Sequence, residues 1–409
     1  EQVAKISGGG IAGLLSVMAT ANLDDWKAYL TAHLLSDFSS VLPAKIDEAS
    51  FAFYSKQLRG QAQQRPRWKR AVTGVEGALG EAVGKVYAAR YFPAENKVAM
   101  DKLVSNLRKA MADNLNQLDW MGEETKIEAR DKLAKFTPKI GYTEKFETYD
   151  SLVVGNSAFA NLIASSEWGY QDMIAQLGQP IDKTEWFMLP QTVNAYYSPN
   201  RNEIVFPAAI LQPPFFNMDA DPAVNYGAIG GVIGHEMGHG FDDQGAKSDG
   251  DGVLRNWWTQ ADNEAFVAKT DALVGQYNQF CPIDDGKACV NGRLGLGENT
   301  GDLGGLSMAY KAYKMSLDTN GDGKISEEEQ APVIDGFTGD QRFFMAWAQV
   351  WRNKYREEAL RQQLIQGPHS PPYFRVNGVV RNFNEWYDAF GIGPDNALYL
   401  PPEQRIRIW

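Results

Sequence analysis

The sequence has only two cysteines and four histidines among its 409 residues, and it has no excess of basic charge. Two cysteines cannot hold together a small disulfide-rich fold, and the length is sufficient for two or three domains with a large buried core. The 40 basic residues are outnumbered by 51 acidic ones, and the formal charge of −11 argues against binding to nucleic acid or to an anionic membrane surface. The composition therefore predicts an acidic globular protein.

No apolar segment reaches the roughly 20 residues that span a bilayer. The nearest, Gly8–Ala21, is too short and too rich in glycine, so we predict no membrane span in this chain. The chain opens at Glu1 without Met, from which we expect a processed or truncated start. Cys281 and Cys289 lie in one loop-like segment, either as a local disulfide typical of an oxidising compartment or as two free thiols.

The pattern of the sequence changes along the chain. Apolar residues recur at helical spacing in Trp26–Phe38 and Val98–Trp120, whereas short extended segments occur at Ala195–Tyr197 and Ile204–Phe206. The fold class predicted from this pattern is α+β and predominantly helical. The predicted domains are a helical region at residues 1–165 and a second domain at residues 166–409.

The segment Gly230–Gly240 contains the pattern His-Glu-x-x-His. On a helix, His235 and His239 are four residues apart and project from one face, so both imidazoles can bind the same tetrahedral zinc ion. Glu236 lies about 100° further round the helix and would flank the ion. A general base for a zinc-bound water belongs in that position, so the pattern predicts a catalytic zinc site.

Catalytic zinc sites usually have a third protein ligand. One class of zinc peptidase uses a histidine six residues after the second, but that position is Gly245 here. In Gly297–Gly305, Glu298 and Asp302 are four residues apart and face one way on a helix. We predict that Glu298 is the third ligand and that Asp302 accepts a hydrogen bond from His235, which fixes the tautomer of that ligand.

With these residues in place, the chain resembles the neprilysin and endothelin-converting-enzyme family of zinc metallopeptidases. The resemblance rests on motifs spread over nearly the whole length. The motifs lie at residues 68–70, 79–85, 120–126, 194–197, 201–207, 210–216, 235–243, 297–305, 348–351 and 369–375. It implies a thermolysin-like (gluzincin) catalytic domain from about residue 166, preceded by part of a helical cap domain.

The resemblance also assigns roles by position. Asn194 and Ala195 would bind the substrate backbone, His369 would donate to the oxyanion, and Arg375 would donate to a substrate carbonyl. A hydrophobic pocket would take a large apolar side chain just after the scissile bond. The residues that match this pocket are Ile210, Phe215, Val232 and Trp351. Each of these residues has an ordinary alternative, as a cap, a core residue or a surface residue.

The chain also departs from the family. Family members are much longer at the N-terminus, so either a second chain completes the cap or the sequence is an incomplete piece. Family cysteines are replaced at several places, among them Ala71 and Arg352. A version so poor in cysteine looks bacterial.

Residues 318–329 form a separate motif that fits the calcium-binding loop of an EF-hand. Gly323 stands where that loop needs its sharp turn. The predicted calcium ligands are Asp318, Asn320, Asp322, the carbonyl of Lys324, and Glu329. Because no second copy occurs, we expect one structural calcium ion; the alternative is an ordinary acidic turn without an ion.

The sequence therefore predicts an extracytoplasmic zinc endopeptidase that cuts oligopeptides on the amino side of large hydrophobic residues, with Glu236 as its base. One alternative is an inactive scaffold whose metal only holds the fold, and another is a calcium-dependent binding protein. The presence of Glu236 favours the enzyme, because a structural zinc site needs no base beside the metal.

Overall fold

A computed structural model describes residues 10–409. The chain is mostly helical with one small sheet, which confirms the predicted α+β, predominantly helical class. In chain order the α-helices are α1 (Gly10–Thr20), α2 (Leu23–Asp37), α3 (Ala44–Ser50), α4 (Arg67–Tyr91), α5 (Ala94–Gln117), α6 (Glu123–Lys135), α7 (Ala158–Ala175), α8 (Pro222–Asn225), α9 (Gly231–Gly238), α10 (Gln260–Tyr277), α11 (Leu296–Leu317), α12 (Gly339–Val350), α13 (Glu357–Gln366), α14 (Pro372–Val380) and α15 (Asn384–Phe390).

The chain divides into two compact units. One comprises the described residues up to Ala78 together with 150–177, and the other comprises 79–149 and 178–409. Residue 166 lies inside α7, so the units do not follow the predicted division at 165/166. The difference arises because α5 and α6, which the sequence assigns to the first region, pack within the second unit.

The described residues of the first unit form helices and loops, without a strand. The predicted helix at Trp26–Phe38 is observed as α2, which begins after Asn22, whose side chain accepts a hydrogen bond from the Asp25 amide. Apolar residues lie on all sides of α1 and α2, and no described residue of this unit is buried. The unit therefore has no core of its own among the described residues.

The second unit contains a three-stranded sheet. Its strands are β1 (Thr137–Gly141), β2 (Tyr196–Ser198) and β3 (Glu203–Pro207). β3 is central, with β1 parallel and β2 antiparallel to it, so β2 is an edge strand. The two predicted extended segments correspond to β2 and β3. The sequence analysis missed β1, where Pro138 and Lys139 interrupt the apolar pattern of a strand.

α9 packs against α11 through glycines. A Cβ at Gly234 would lie 2.4 Å from the carbonyl oxygen of Gly305, and a Cβ at Gly305 would lie 2.3 Å from the backbone nitrogen of His235. The two backbones are therefore in contact, which only glycine permits at both positions. This contact accounts for Gly234 and brings His235 alongside α11, whereas Gly231 leaves room for the ring of Trp347 and Gly240 for that of Phe136.

Cys281 and Cys289 form a disulfide, which decides between the two states that the sequence left open. The loop that it closes is also held from outside, since the guanidinium of Arg361 binds both carboxylate oxygens of Asp284. None of the helices within residues 10–409 combines the length and the apolar character needed to cross a bilayer.

The helix contact predicts the effect of two matched substitutions. Gly305→Ala would force α9 and α11 apart and should lower the free energy of unfolding by about 1–3 kcal/mol. Gly275→Ala, in α10, meets no atom within 4 Å and should be neutral or slightly stabilising because alanine favours a helix. Urea unfolding of both variants tests this; equal stability of Gly305→Ala and the wild type would contradict the contact.

Candidate active site

Three side chains from two helices converge in the second unit. His235 lies in the last turn of α9 and His239 directly follows that helix, whereas Glu298 lies in the first turn of α11. The two Nε2 atoms are 3.0 Å apart, and Glu298 Oε2 lies 3.1 Å from that of His235 and 3.7 Å from that of His239. Within residues 10–409, this is the one group of three such side chains whose ligand atoms are close enough to share a metal ion.

The chemistry of this group fits zinc. Two imidazole nitrogens and one carboxylate oxygen are a usual ligand set for catalytic zinc. Although Glu298 Oε2 lies close to the imidazoles, this buried oxygen accepts no well-aligned hydrogen bond from the described residues. A buried carboxylate oxygen without a partner is costly, so a cation at this point would satisfy it.

Asp302 lies one helical turn after Glu298 and is fully buried. Its Oδ1 lies 2.8 Å from His235 Nδ1, which leaves the Nε2 atom of His235 for a metal ion. Arg375 in α14 donates from Nε and Nη2 to the two oxygens of Asp302, each at 2.6 Å. Its guanidinium also lies 3.7 Å from the ring centroid of Trp351.

The contact between Arg375 and Asp302 was not predicted from the sequence. The resemblance placed Arg375 at a substrate carbonyl, whereas the structure commits two of its three nitrogens to Asp302. Its Nη1 has no hydrogen-bond partner among residues 10–409, and Arg375 lines the cavity described below. The role towards substrate stays a prediction.

Asp242 is a site residue that the sequence analysis missed. Its Oδ2 lies 2.8 Å from Nδ1 of His239, so each histidine has its own carboxylate partner. Its Oδ1 accepts the backbone N–H groups of Gln244 and Gly245. The available signal was an aspartate three residues after the second histidine, inside the motif at 235–243.

A cavity of about 510 Å³ lies beside the convergent side chains. The predicted residues that line it are Asn194, Ile210, Phe215, Val232, His235, Glu236, Trp351, His369 and Arg375. Ala195 is buried just before β2 and does not line the cavity. The cavity also contains residues that the sequence analysis did not assign to it, namely Val193, Pro214, Gln349, Val350, Arg352 and Asn353.

His369 lies at the mouth of the site. Its Nε2 is 3.0 Å from Glu298 Oε2, and its side chain is 46% exposed, which leaves it accessible to a ligand in the cavity. Its backbone is held from two sides. Gln363 donates to the carbonyl of His369 at 2.6 Å, and the neighbouring Ser370 donates to Asn299 at 2.7 Å.

The predicted calcium ligands lie in an exposed loop after α11. Asp318 accepts the backbone N–H groups of Gly321 and Gly323, and Glu329 accepts those of Thr319 and Ser326. The carboxylates thus accept hydrogen bonds from the amides of the loop itself. Asn320 and Asp322 likewise accept backbone amides, from Asp322 and Lys324 respectively.

The pKa values of His235 and Glu298 are both shifted by the charged side chains around them. Burial lowers the pKa of His235, but the hydrogen bond and charge of Asp302, together with Glu298 and Glu236, outweigh burial and raise the pKa to about 10. Burial also raises the pKa of Glu298, yet the facing imidazoles hold it well below its usual range. A cation bound by His235 and Glu298 would therefore have to displace a proton.

This competition predicts a pH dependence of zinc binding. Because the pKa of His235 is raised to about 10 and Asp242 and Glu236 raise that of His239 as well, zinc should bind at least about tenfold more tightly for each unit rise in pH between roughly 6.5 and 9. With an ordinary histidine pKa near 6.5, the affinity would level off soon above neutral pH. Competition with a chromophoric chelator measures the slope. A zinc affinity that no longer changes above about pH 7.5 would contradict the raised pKa of His235. In the Asp302→Asn variant, the zinc affinity should depend less steeply on pH.

The chain matches known proteins over nearly its whole length. Two models described as Peptidase family M13 match residues 194–406 and 10–143. Human neprilysin is 35% identical over 95% of the chain, and mouse endothelin-converting enzyme 1 is 35% identical over 93%. The chain covers 51% and 49% of those two proteins, so it spans about half the length of the curated relatives that it matches.

Solved structures agree with these matches. The zinc metalloprotease Zmp1 of Mycobacterium tuberculosis, in complex with an inhibitor, is 48% identical, with a TM-score of 0.91 over 97% of this chain and 59% of its own. PepO from Lactobacillus rhamnosis is 31% identical, with a TM-score of 0.84 over 95% of this chain and 58% of its own. The matching models, the sequence identity and the convergent histidines and glutamate lead to one conclusion: the chain belongs to peptidase family M13.

Proposed function

We propose that this chain carries the catalytic centre of a zinc endopeptidase that hydrolyses oligopeptides. The single observation that supports this most is the position of Glu236. Glu236 is 7% exposed and lines the same cavity as His235 and His369, one residue from the first proposed ligand. A purely structural zinc site has no need of a carboxylate facing an accessible cavity.

His235, His239 and Glu298 would hold the zinc ion. When bound, zinc supplies Lewis-acid polarisation of a carbonyl and lowers the pKa of a water molecule. Glu236 acts as the general base that takes a proton from the attacking water, and it then passes this proton to the leaving amine. His369, exposed at the mouth of the site, donates to the oxyanion of the tetrahedral intermediate.

The cavity also supports a substrate orientation. β2 is an edge strand, so a peptide can lie alongside it as an extra strand, and Asn194 just before it is exposed. Ile210, Phe215 and Val232 contribute apolar side chains to the lining of the cavity. We therefore propose cleavage on the amino side of a large hydrophobic residue.

Substitution of Glu236 tests the proposed function. Glu236→Gln should keep zinc, because the residue is not a ligand, and should lower kcat by about 10²–10⁴-fold, the usual contribution of a general base. The assay uses a fluorogenic peptide with Phe or Leu after the scissile bond, and zinc content is measured in parallel.

Glu298→Ala is the matched control, because it should remove zinc and activity together. Unchanged hydrolysis in a zinc-containing Glu236→Gln variant would overturn the mechanism. An inactive wild type with a full zinc complement would support the alternative of a metal-binding scaffold.

We further propose that more chain, in the same polypeptide or a second one, completes the first unit. That unit buries none of its described residues, although α1 exposes Leu, Ile and Met side chains and α2 exposes four Leu side chains. Helices that are apolar on every side are normally covered by other elements.

We propose an extracytoplasmic location because of the Cys281–Cys289 disulfide, since disulfides persist in oxidising compartments such as the periplasm. We also propose a bacterial source, because family cysteines are replaced at several positions, among them Ala71 and Arg352.

A structural calcium ion in the loop 318–329 is also proposed. Its support is the spacing of Asp318, Asn320, Asp322 and Glu329 and the left-handed Gly323, which allows the sharp turn of an EF-hand loop. Calcium should raise the melting temperature of the wild type by a few degrees and leave Glu329→Ala unchanged. An equal shift in both proteins, or no shift in either, would contradict the site.

A further inference from the structure

Lys132 is a buried lysine that the proposed chemistry does not use. It lies in α6, its side chain is 0% exposed, and its Nζ donates to the carbonyl oxygens of Gly245 at 2.9 Å and Ser248 at 2.6 Å. Removing an amine of this kind from water is costly, so a fully buried lysine must be stabilised by specific partners. These two carbonyls lie in the loop that follows the metal-binding histidines.

Three aromatic rings surround the amine. The centroids of Tyr197, Phe241 and Trp257 lie 5.6, 5.9 and 5.3 Å from Nζ, all within the range of cation–π contacts. Trp257 also donates from Nε1 to the same carbonyl of Gly245, at 2.9 Å. Gly245 O is therefore fixed by two donors from different parts of the fold.

The hydrogen bonds from Lys132 to Gly245 and Ser248 do not require the amine to be charged. Burial lowers the pKa of Lys132 to about 7, although the charges of Asp242 and Asp249 oppose the shift. A neutral amine and an ammonium both have the two N–H groups that the observed hydrogen bonds use. The contact to Gly245 and Ser248 is therefore available on both sides of neutral pH.

Gly245 connects this amine to a metal ligand. The N–H of Gly245 donates to Asp242 Oδ1 at 2.8 Å, and Asp242 Oδ2 lies 2.8 Å from His239 Nδ1. Gly245 also packs on the backbone before it, since a Cβ there would lie 2.3 Å from the carbonyl oxygen of His239. A continuous path of three hydrogen bonds thus runs from Lys132 to His239.

We propose that Lys132 is a positioning residue of the metal centre, which holds Gly245 so that Asp242 fixes the tautomer and orientation of His239. Lys132 touches neither the cavity nor the proposed ligands. The inference rests on the proposed function only in that it takes His239 as a zinc ligand. Partners that orient a ligand in this way typically change metal affinity or activity by about 10–100-fold when they are removed.

The test compares the buried Lys132 with the half-buried Lys139. Lys132→Met keeps the length of the side chain but loses both hydrogen bonds, and it should weaken zinc binding by about 10–100-fold and lower kcat with little change in KM. The control is Lys139→Met, because Lys139 is paired with Glu203 at 2.8 Å and donates to Glu185 O, away from the loop at 242–248. Zinc affinity is measured by chelator competition on metal-free protein whose fold is verified by circular dichroism.

A double-mutant cycle of Lys132 and Asp242, measured by zinc affinity, distinguishes a positioning role of Lys132 from a general effect on packing. In an Asp242→Asn background, Lys132→Met should weaken zinc binding little further, because both act on His239 through one path. If the losses of zinc affinity in the two substitutions add up in the double variant, the proposed path is wrong. Normal zinc affinity in a folded Lys132→Met variant would also contradict the proposal, and so would an equal loss of affinity in Lys139→Met. If Lys132→Met does not fold, Lys132→Gln replaces it in the same cycle.

The measurements of zinc affinity do not depend on peptide hydrolysis, unlike those of kcat and KM. Should the zinc affinities follow the expected pattern while the wild type cleaves no peptide, the proposed function fails and the role of Lys132 stands. Should the wild type cleave peptides while Lys132→Met binds zinc normally, the role of Lys132 fails alone.

Discussion

The backbone contact between α9 and α11 is the constraint on which the site depends. Because Gly234 and Gly305 lack side chains, the two helices approach until a backbone nitrogen of one lies against the Cα of the other. Glu298 at the start of α11 is thereby brought to the two histidines at the end of α9. The three proposed ligands are thus placed by rigid helices and not by loops, which suits a site that must keep a fixed geometry.

Charge balance explains why so many acidic groups can lie together. Asp302, Asp242, Glu298 and Glu236 surround two imidazoles in a largely buried region, where unpaired carboxylates would be unstable. Arg375 compensates Asp302 through a bidentate pair, the strongest common form of such a contact. The remaining negative charge favours a divalent cation at the point where Glu298 Oε2 lacks a hydrogen-bond donor.

The sequence was sufficient to predict the parts of the site that follow helical periodicity. His235 and His239, like Glu298 and Asp302, are four residues apart, and such pairs share a face whatever the rest of the fold does. Asp242 was missed because it follows the end of α9, where no periodic rule applies and the turn alone decides the direction of a side chain. For the same reason the partner of Arg375 was not predictable, since it depends on how α14 packs.

The observed division of the chain into two units and the strand β1 were not predicted from the sequence. The segment 79–135 is mainly helical, as predicted, but helical periodicity does not show that α5 packs against α11 in the second unit. β1 pairs in parallel with β3, far along the chain, and its proline and lysine conceal the strand. Both features depend on long-range packing, whereas the motifs that indicated the family are local.

The central claim is that one zinc ion is held by His235, His239 and Glu298 with a coordination position left open. Anomalous diffraction at the zinc absorption edge from crystals of the zinc-loaded protein tests it most directly. We expect one anomalous peak in this part of the chain at about 2.0–2.2 Å from the two Nε2 atoms and a Glu298 oxygen. A peak elsewhere, or a closed site with His369 as a fourth protein ligand, would contradict the claim.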